Sequence, residues 1–293
     1  MADFPTDAIE SVTVVRDSTV LTLGPLVQPG VQESELQGFI LVRTRTSKQA
    51  ETEVRLGYGS QDRSKAFVRH GNAIDAFTYS LTYNKSHDDG HEDWNNGHDS
   101  DSILGKVGYD ASGFSANIGL YVDWASRQIQ RATNVSTTCD SEWEYDPLNT
   151  IMLSATAEKK WTHSQTTSLG FYLGQVETDL IQESYSKPTR LVYDQKDRST
   201  QFDLRHAIAT GDNTLTMGGQ AIFWETPTGQ FYYETLPREE ELYAGYVQDE
   251  YRLTDRLTLD AGLRIERKHI TEGVDKSGPT QVTAAVIEDQ WAT

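Results

Sequence analysis

The stretch RLTLDAGLRIE, Arg256–Glu266, alternates strictly in character. Leu257, Leu259, Ala261, Leu263 and Ile265 fall on one side of an extended chain; Thr258, Asp260, Gly262, Arg264 and Glu266 fall on the other. A period of two is that of a pleated strand with unlike faces. GFSANIGLYVDW, Gly113–Trp124, repeats it, with Phe114, Ala116, Ile118, Leu120, Val122 and Trp124 opposed to Ser115, Asn117, Gly119, Tyr121 and Asp123. In AFTYSLTYN, Ala76–Asn84, the rows are Phe77, Tyr79, Leu81 and Tyr83 against Thr78, Ser80, Thr82 and Asn84. Similar rows run through Thr167–Gln175, Gln201–Ala209 and Leu215–Phe223. From Glu53 onward about eleven strands can be drawn, several longer than the roughly 5–6 residues usual in globular proteins. Helical spacing is almost absent.

Composition removes several classes of function. The 293 residues carry 26 Lys and Arg against 44 Asp and Glu, a net charge of −18 that would repel nucleic-acid phosphates. One cysteine, Cys139, allows neither an internal disulfide nor a cysteine-type zinc module. No basic residue or histidine stands near it to lower its pKa, so it reads as a bystander. No run reaches the roughly 18 apolar residues of a membrane-spanning helix. The start, MADFPTDAIESVTVV, has neither the basic nor the apolar region of a signal peptide. A membrane β-barrel escapes these tests, because its apolar band occupies only every second residue.

Alternation alone does not separate a soluble sandwich from a barrel, but the connections do. Short ones (Asp110–Gly113, Lys159–Ser164, Thr210–Asn213, Leu253–Asp255) alternate with long ones (Lys85–Asp101, Ser126–Asn149, Glu177–Arg198, Glu225–Glu240). Outer-membrane barrels keep tight turns on one side and large loops on the other, whereas a Greek-key sandwich has no reason for that rhythm. Tyr109, Trp124, Trp161, Trp224 and Tyr251 stand near strand ends, where an interfacial aromatic girdle would lie. The acidic residues concentrate in the long connections.

Residues 1–48 read differently. SVTVVRD, STVLTLG and GFILVRTRT suggest three short strands, with a Pro- and Gly-containing loop between the last two and a linker at Ser47–Glu51. This looks like the end of a small α+β unit.

Here the chain resembles the TonB-dependent outer-membrane receptors. AIESVTVVRDSTVLTLGP followed by QGFILVRTRT is similar to the end of their plug domain, through Ile9–Arg16, Gly24, Pro25 and Gly38–Thr46. AGYVQDEYRLTDRLTLDAGLRIE, Ala244–Glu266, resembles a mid-barrel hairpin of that family, with Leu253–Asp255 as its inner turn. The chain departs from the pattern in a long insertion, Leu26–Gln37, and lacks the Gly-Gly signature before the last plug strand. The resemblance implies an all-β, antiparallel up-and-down transmembrane barrel of roughly 22 strands with a plugged lumen. It divides the chain into residues 1–48, the C-terminal part of the plug, and 49–293, the N-terminal half of the barrel. Single-chain bacterial barrels have even strand numbers, so the odd tally implies that the other strands, the signal peptide and the TonB-binding box lie outside this sequence. It further implies the outer membrane of a Gram-negative bacterium and energy-coupled uptake of a scarce solute. The partners would be periplasmic TonB, outer-membrane lipid and a small-molecule cargo, most often a ferric siderophore, otherwise cobalamin, a sugar or another metal. A passive channel, or a soluble β-sandwich binding module, is the alternative of another class.

The acidic loop KSHDDGHEDWNNGHDSD, Lys85–Asp101, holds His87, His91 and His98 among six acids. Imidazole with carboxylate suits divalent transition metals, although this spacing matches neither the zinc-protease helix nor the calcium-loop consensus. These three histidines are the candidate metal ligands; a solvated acidic loop is the plainer reading. Aromatics flanked by polar groups suit flat, partly apolar ligands. By that criterion Trp94, Trp143, Tyr145, Phe231, Tyr232 and Tyr233 are the candidate substrate contacts, with loop-against-loop packing as the alternative. No nucleophile elbow or phosphate loop is present, so the sequence supports no enzyme and no cofactor.

Overall fold

The computed structural model describes residues 4–15, 20–24, 39–92, 94–130, 141–184, 188–228, 237–276, 282–285 and 289–292. A 3-10 turn, Thr6–Ala8, opens into β1 (Ile9–Val15), followed by the one-turn helix α1 (Val20–Leu23) and β2 (Phe39–Thr44). The long strands are β3 (Glu51–Tyr58), β4 (Ser64–Ile74), β5 (Phe77–Asp88), β6 (His98–Ala111), β7 (Phe114–Ile129) and β8 (Ser141–Lys160). They continue as β9 (Gln165–Ser184), β10 (Arg190–Thr210), β11 (Asn213–Thr226), β12 (Arg238–Thr254) and β13 (Leu257–Glu272). The short strands β14 (Val274–Lys276), β15 (Val282–Ala285) and β16 (Asp289–Ala292) close the order.

Each strand from β3 to β13 pairs antiparallel with its sequence neighbour, and β16 adds a short strand outside β13. The eleven long strands match the number read from alternation. β1 and β2 form a separate ribbon, as do β14 and β15. Among the described residues β3 and β16 are the two edges of the large sheet and do not pair with each other, so the sheet is open.

The two faces differ as the sequence demands. Leu257, Leu259, Leu263 and Ile265 are 45–53% exposed on a single-layer sheet, with no second sheet against them among the described residues. Ile103, Val107, Ile118, Leu120, Leu169, Phe202, Leu204 and Val247 continue that exposed apolar face. Ser80, Thr82, Asn84, Ser102, Asp123 and Thr150, on the opposite face, are buried. A soluble sandwich would bury the first set and wet the second; here the order is inverted, as in a sheet whose outer face meets lipid. Aromatic rings add a diagonal ladder across the apolar face: Phe171–Phe202 at 5.1 Å, Phe202–Phe223 at 6.5 Å and Phe223–Tyr243 at 5.9 Å between centroids. Beside the short turns, Phe77, Tyr109 and Phe114 stack in series at 4.9 and 6.1 Å.

Two expectations need correction. STVLTLG is not a third short strand: Val20–Leu23 form α1. Its β-branched residues favour strands only weakly, and the contacts of α1 with β11–β13 override that preference. The long connections are also shorter than the sequence suggests. β8, β9 and β10 run 20, 20 and 21 residues, about twice what crossing the hydrocarbon requires. The segment Lys85–Asp101 is ladder at both ends, with Lys85 opposite Asp101 and His87 opposite Asp99, and residues 89–97 connect them. Outside lipid both faces meet water, so nothing enforces apolar–polar alternation and the strands become invisible to it. Cross-strand ion pairs accompany the extensions: Lys85–Asp101 at 2.9 Å, Lys196–Glu177 at 2.9 Å and Arg198–Glu225 at 2.8 Å.

The facing assignment predicts depth-dependent costs. Leu263→Arg, in the middle of the apolar row, is expected to cost about 2–4 kcal/mol in reversible unfolding from bilayers. Leu259→Arg, close to the short turn, is expected to cost less, and Thr258→Arg on the polar face least. A cost at Thr258 equal to or above that at Leu263 would refute the facing assignment.

Candidate functional site

The polar face of the sheet carries the N-terminal residues. Ala8 is buried with Phe67, Leu104 and Tyr121, and Phe4 packs against this cluster, 5.0 Å from the Tyr121 ring. Burying side chains of this size contributes about 1.5–3 kcal/mol each. The Asp7 carboxylate takes an ion pair from Arg55 on β3 at 2.5 Å and another from Lys65 on β4. Lys106, at the centre of the polar row of β6, donates to the carbonyls of Thr44 (3.1 Å) and Arg45 (3.2 Å), where the chain leaves β2. Ser47, fully buried, accepts a hydrogen bond from the buried Arg69 (2.7 Å) and donates one to Glu51 (2.9 Å); Arg69 also reaches Glu51 at 2.6 Å. The strand beneath leaves room for this crossing only because residue 71 is glycine. A Cβ there would stand 2.2 Å from Ser47 Oγ and 2.8 Å from the Tyr79 carbonyl.

Further along the same face, a cavity of about 650 Å³ lies between Thr22, Leu23, Gly24 and Phe39 on one side and the strand wall on the other. Asp203, Arg205, Tyr172 and Tyr246 give that wall both charge and aromatic surface. Next to it runs a buried charged network. Glu240 accepts from Arg238 (2.7 Å) and Lys268 (3.1 Å), while Arg264 pairs with Glu266, donates to Gln220 (2.8 Å) and lies 5.6 Å from the Tyr246 ring centroid.

The sequence-derived candidates divide among several places. Ladder partners share a face, and Tyr145 stands opposite Arg127 and the buried Leu180, so Tyr145 and Trp143 belong to the inner face beyond the apolar band. Asn95 holds the preceding loop to this wall by donating to the carbonyls of Ile129 and Trp143, each at 3.0 Å. Trp94 is exposed and stacks on His91 at 4.7 Å. Phe231, Tyr232, Tyr233 and Cys139 lie outside the described residues.

The three histidines do not converge. His87 lies on the outer row of β5, opposite Asp99; the next residue, Asp88, lies on the inner row opposite His98; and His91 lies in the loop. His87 Nδ1 stands 2.6 Å from Asp99, and its Nε2 is 3.2 Å from Asp89 and 4.0 Å from Asp62. The Asp99 hydrogen bond is the main cause that raises the proton affinity of His87 above that of an ordinary imidazole. Sequence reasoning missed Asp62, Arg69, Lys106 and Tyr121. The one available signal was a cation in the polar row of a strand, as Lys106 is in ILGKVGY.

A long antiparallel meander with an apolar exposed face, a polar face carrying an N-terminal segment, and turns of unequal length defines the wall of an outer-membrane-type β-barrel. Residues 45–291 match the family described as TonB dependent receptor-like, beta-barrel, and the chain belongs to that family. It is accordingly a protein of the Gram-negative outer membrane, in a family of receptors and transporters. Among solved structures, the ferripyoverdine receptor of Pseudomonas aeruginosa bound to ferripyoverdine superposes with a TM-score of 0.70 at 13% identity, over 96% of this chain and 43% of that one. The FrpB iron transporter from Neisseria meningitidis (F3-3 variant) gives 0.70 at 10% identity, over 97% and 50%. The ferric-catecholate import receptor Fiu from E. coli K12 gives 0.68 at 10%, over 88% and 49%. At these identities the likeness is one of fold, and the chain spans half or less of the length of each. No curated protein matches the chain by sequence.

Two outcomes follow from the inner face. The Asp7 carboxyl is held below its ordinary value, chiefly by the Lys65 hydrogen bond. Because the folded value is depressed, its contribution is present above the ordinary carboxylate value and disappears as pH falls through the folded one. Asp7→Asn is therefore expected to raise amide exchange across residues 4–15 at pH near 7, with parent and variant converging in acid; identical exchange near neutrality would refute the anchoring role. In the charged network, Glu240→Gln removes the carboxylate charge that Arg238 and Lys268 share and is expected to cost about 3–5 kcal/mol of unfolding free energy, whereas the exposed neighbouring change Glu239→Gln costs little.

Proposed function

We propose that residues 1–48 are the C-terminal part of a plug and residues 49–293 the N-terminal half of the barrel in a receptor for energy-coupled uptake of a ferric siderophore. One observation carries the transport reading: the N-terminal segment lodges against the polar face through Asp7, Lys106 and the Ser47 crossing. A passive channel has no use for a segment tied into its interior at so many points. Periplasmic TonB, acting through a box outside these residues, would supply the work that loosens those ties. Ion pairs and single hydrogen bonds of about 0.5–3 kcal/mol each can be released one after another.

The cargo assignment draws on the similar structures, whose names describe ferripyoverdine, iron and ferric-catecholate import. It also draws on Trp143 and Tyr145, inward-facing aromatics at the outer mouth that suit a flat, partly apolar chelate. The remaining aromatic candidates, Trp94, Phe231, Tyr232 and Tyr233, join them in this reading.

The test is competition binding on the complete receptor with ferric siderophores and with cobalamin, paired with uptake in cells with and without TonB. Saturable binding of a ferric siderophore, weakened by Trp143→Ala, and uptake lost without TonB are the expected results. Displacement by cobalamin alone would overturn the cargo, and TonB-independent passage would overturn the mechanism.

A further inference from the structure

The cluster around His87 lies on the outer flank of the sheet, away from the polar face where cargo would pass. Its groups come from separate pieces of chain: Asp62 from the turn between β3 and β4, His87 from the end of β5, Asp89 just beyond it, and Asp99 from β6. The two ligand-bearing segments are laced together by the Asp89 amide donating to the Gln61 carbonyl at 3.0 Å.

The atoms are disposed as in a coordination shell. One atom each from Asp62, His87 and Asp89 lies within 4.8 Å of the other two. Ligands about 2.1 Å from a common ion stand roughly 3–4 Å from one another. The observed separations from His87 Nε2, 3.2 Å to Asp89 Oδ1 and 4.0 Å to Asp62 Oδ2, already lie in that range.

The second observation is that the ligand atoms are oriented from behind. Asp99 engages Nδ1 of His87, which turns Nε2 toward the two carboxylates. The Tyr58 hydroxyl donates to Oδ1 of Asp62 at 2.9 Å, leaving Oδ2 for the site. A carboxylate behind a ligating imidazole is the usual outer support of a metal site. A solvated acidic loop requires neither arrangement.

We infer that Asp62, His87 and Asp89 form a binding site for a divalent transition-metal cation on the outer flank of the barrel, with Asp99 and Tyr58 as positioning residues. One imidazole with two carboxylates favours zinc or copper(II) over calcium and magnesium, which prefer all-oxygen sets. Three protein ligands leave a position for water, so the ion stays exchangeable. Bound there, it would staple the β3–β4 turn to the β5–β6 extension. The inference does not depend on the cargo assignment, since its residues face away from the lumen.

The test uses the untagged full chain in detergent micelles, titrated with zinc, and separately with calcium, by calorimetry. Zinc is expected to bind at one saturable site and calcium not at all. His87→Gln is expected to abolish zinc binding, and Asp99→Asn to weaken it about 10–100-fold. His91→Gln and His98→Gln are expected to leave it unchanged. Copper(II) bound to the parent chain should show hyperfine coupling to a single imidazole nitrogen, a readout independent of whether any variant folds. Unchanged zinc affinity in His87→Gln, loss of binding in His98→Gln, or a copper spectrum without nitrogen coupling would each overturn the site.

Discussion

Hydrocarbon offers the backbone no hydrogen-bonding partner, and that constraint governs this structure. Every N–H and C=O within the apolar band must find its mate inside the protein. Strands β4–β12 satisfy it by antiparallel pairing with a sequence neighbour on either side, through ladders whose register shifts only at a few bulges. The side chains are then free to do opposite things on the two faces. Hydrophobic rows spread over the outside, and hydroxyls, amides and charges gather inside, where the N-terminal segment and its water can meet them.

That segment is held by few and varied attachments. One small apolar cluster around Phe67 and Tyr121, one carboxylate shared by Arg55 and Lys65, one lysine on two carbonyls, one ion pair from Arg45 to Glu53 and one buried serine crossing tie residues 4–8 and 44–47 to the wall. A globular core would have bound the same residues through continuous apolar surface. Polar anchoring instead leaves an interface that water can enter.

Much of the fold was legible because lipid makes alternation obligatory. RLTLDAGLRIE, GFSANIGLYVDW and AFTYSLTYN each revealed a strand, its facing and its neighbours. Legibility ended where the lipid ended. Beyond the band, β5, β8, β9 and β10 continue without apolar–polar alternation, and the eye sees a loop where the backbone keeps its ladder. α1 was misread for a related reason: VLTL carries strand propensity but has no strand to pair with. Of the site residues, His87 was found from composition together with the acids of its own loop, Asp89 and Asp99 among them, but Asp62 was not. His98 is eleven residues away and points to the opposite face, while Asp62 arrives from a different hairpin, a proximity only register reveals. Trp143 and Tyr145 were identified as aromatics among acids, and their inward facing emerged only from the bulge between Tyr145 and Leu148 and the pairing beyond it.

The overlong strands constrain how this protein can diverge. A true loop accepts insertions of any length, whereas a hydrogen-bonded wall does not. Adding one residue within β8 would turn Trp143 and Tyr145 from the inside of the mouth to the outside, unless a further bulge absorbed the shift. Relatives that keep this wall should therefore differ at the mouth mainly by exchanging side chains or by paired additions that preserve parity. Free variation in length is confined to the connections between the strands.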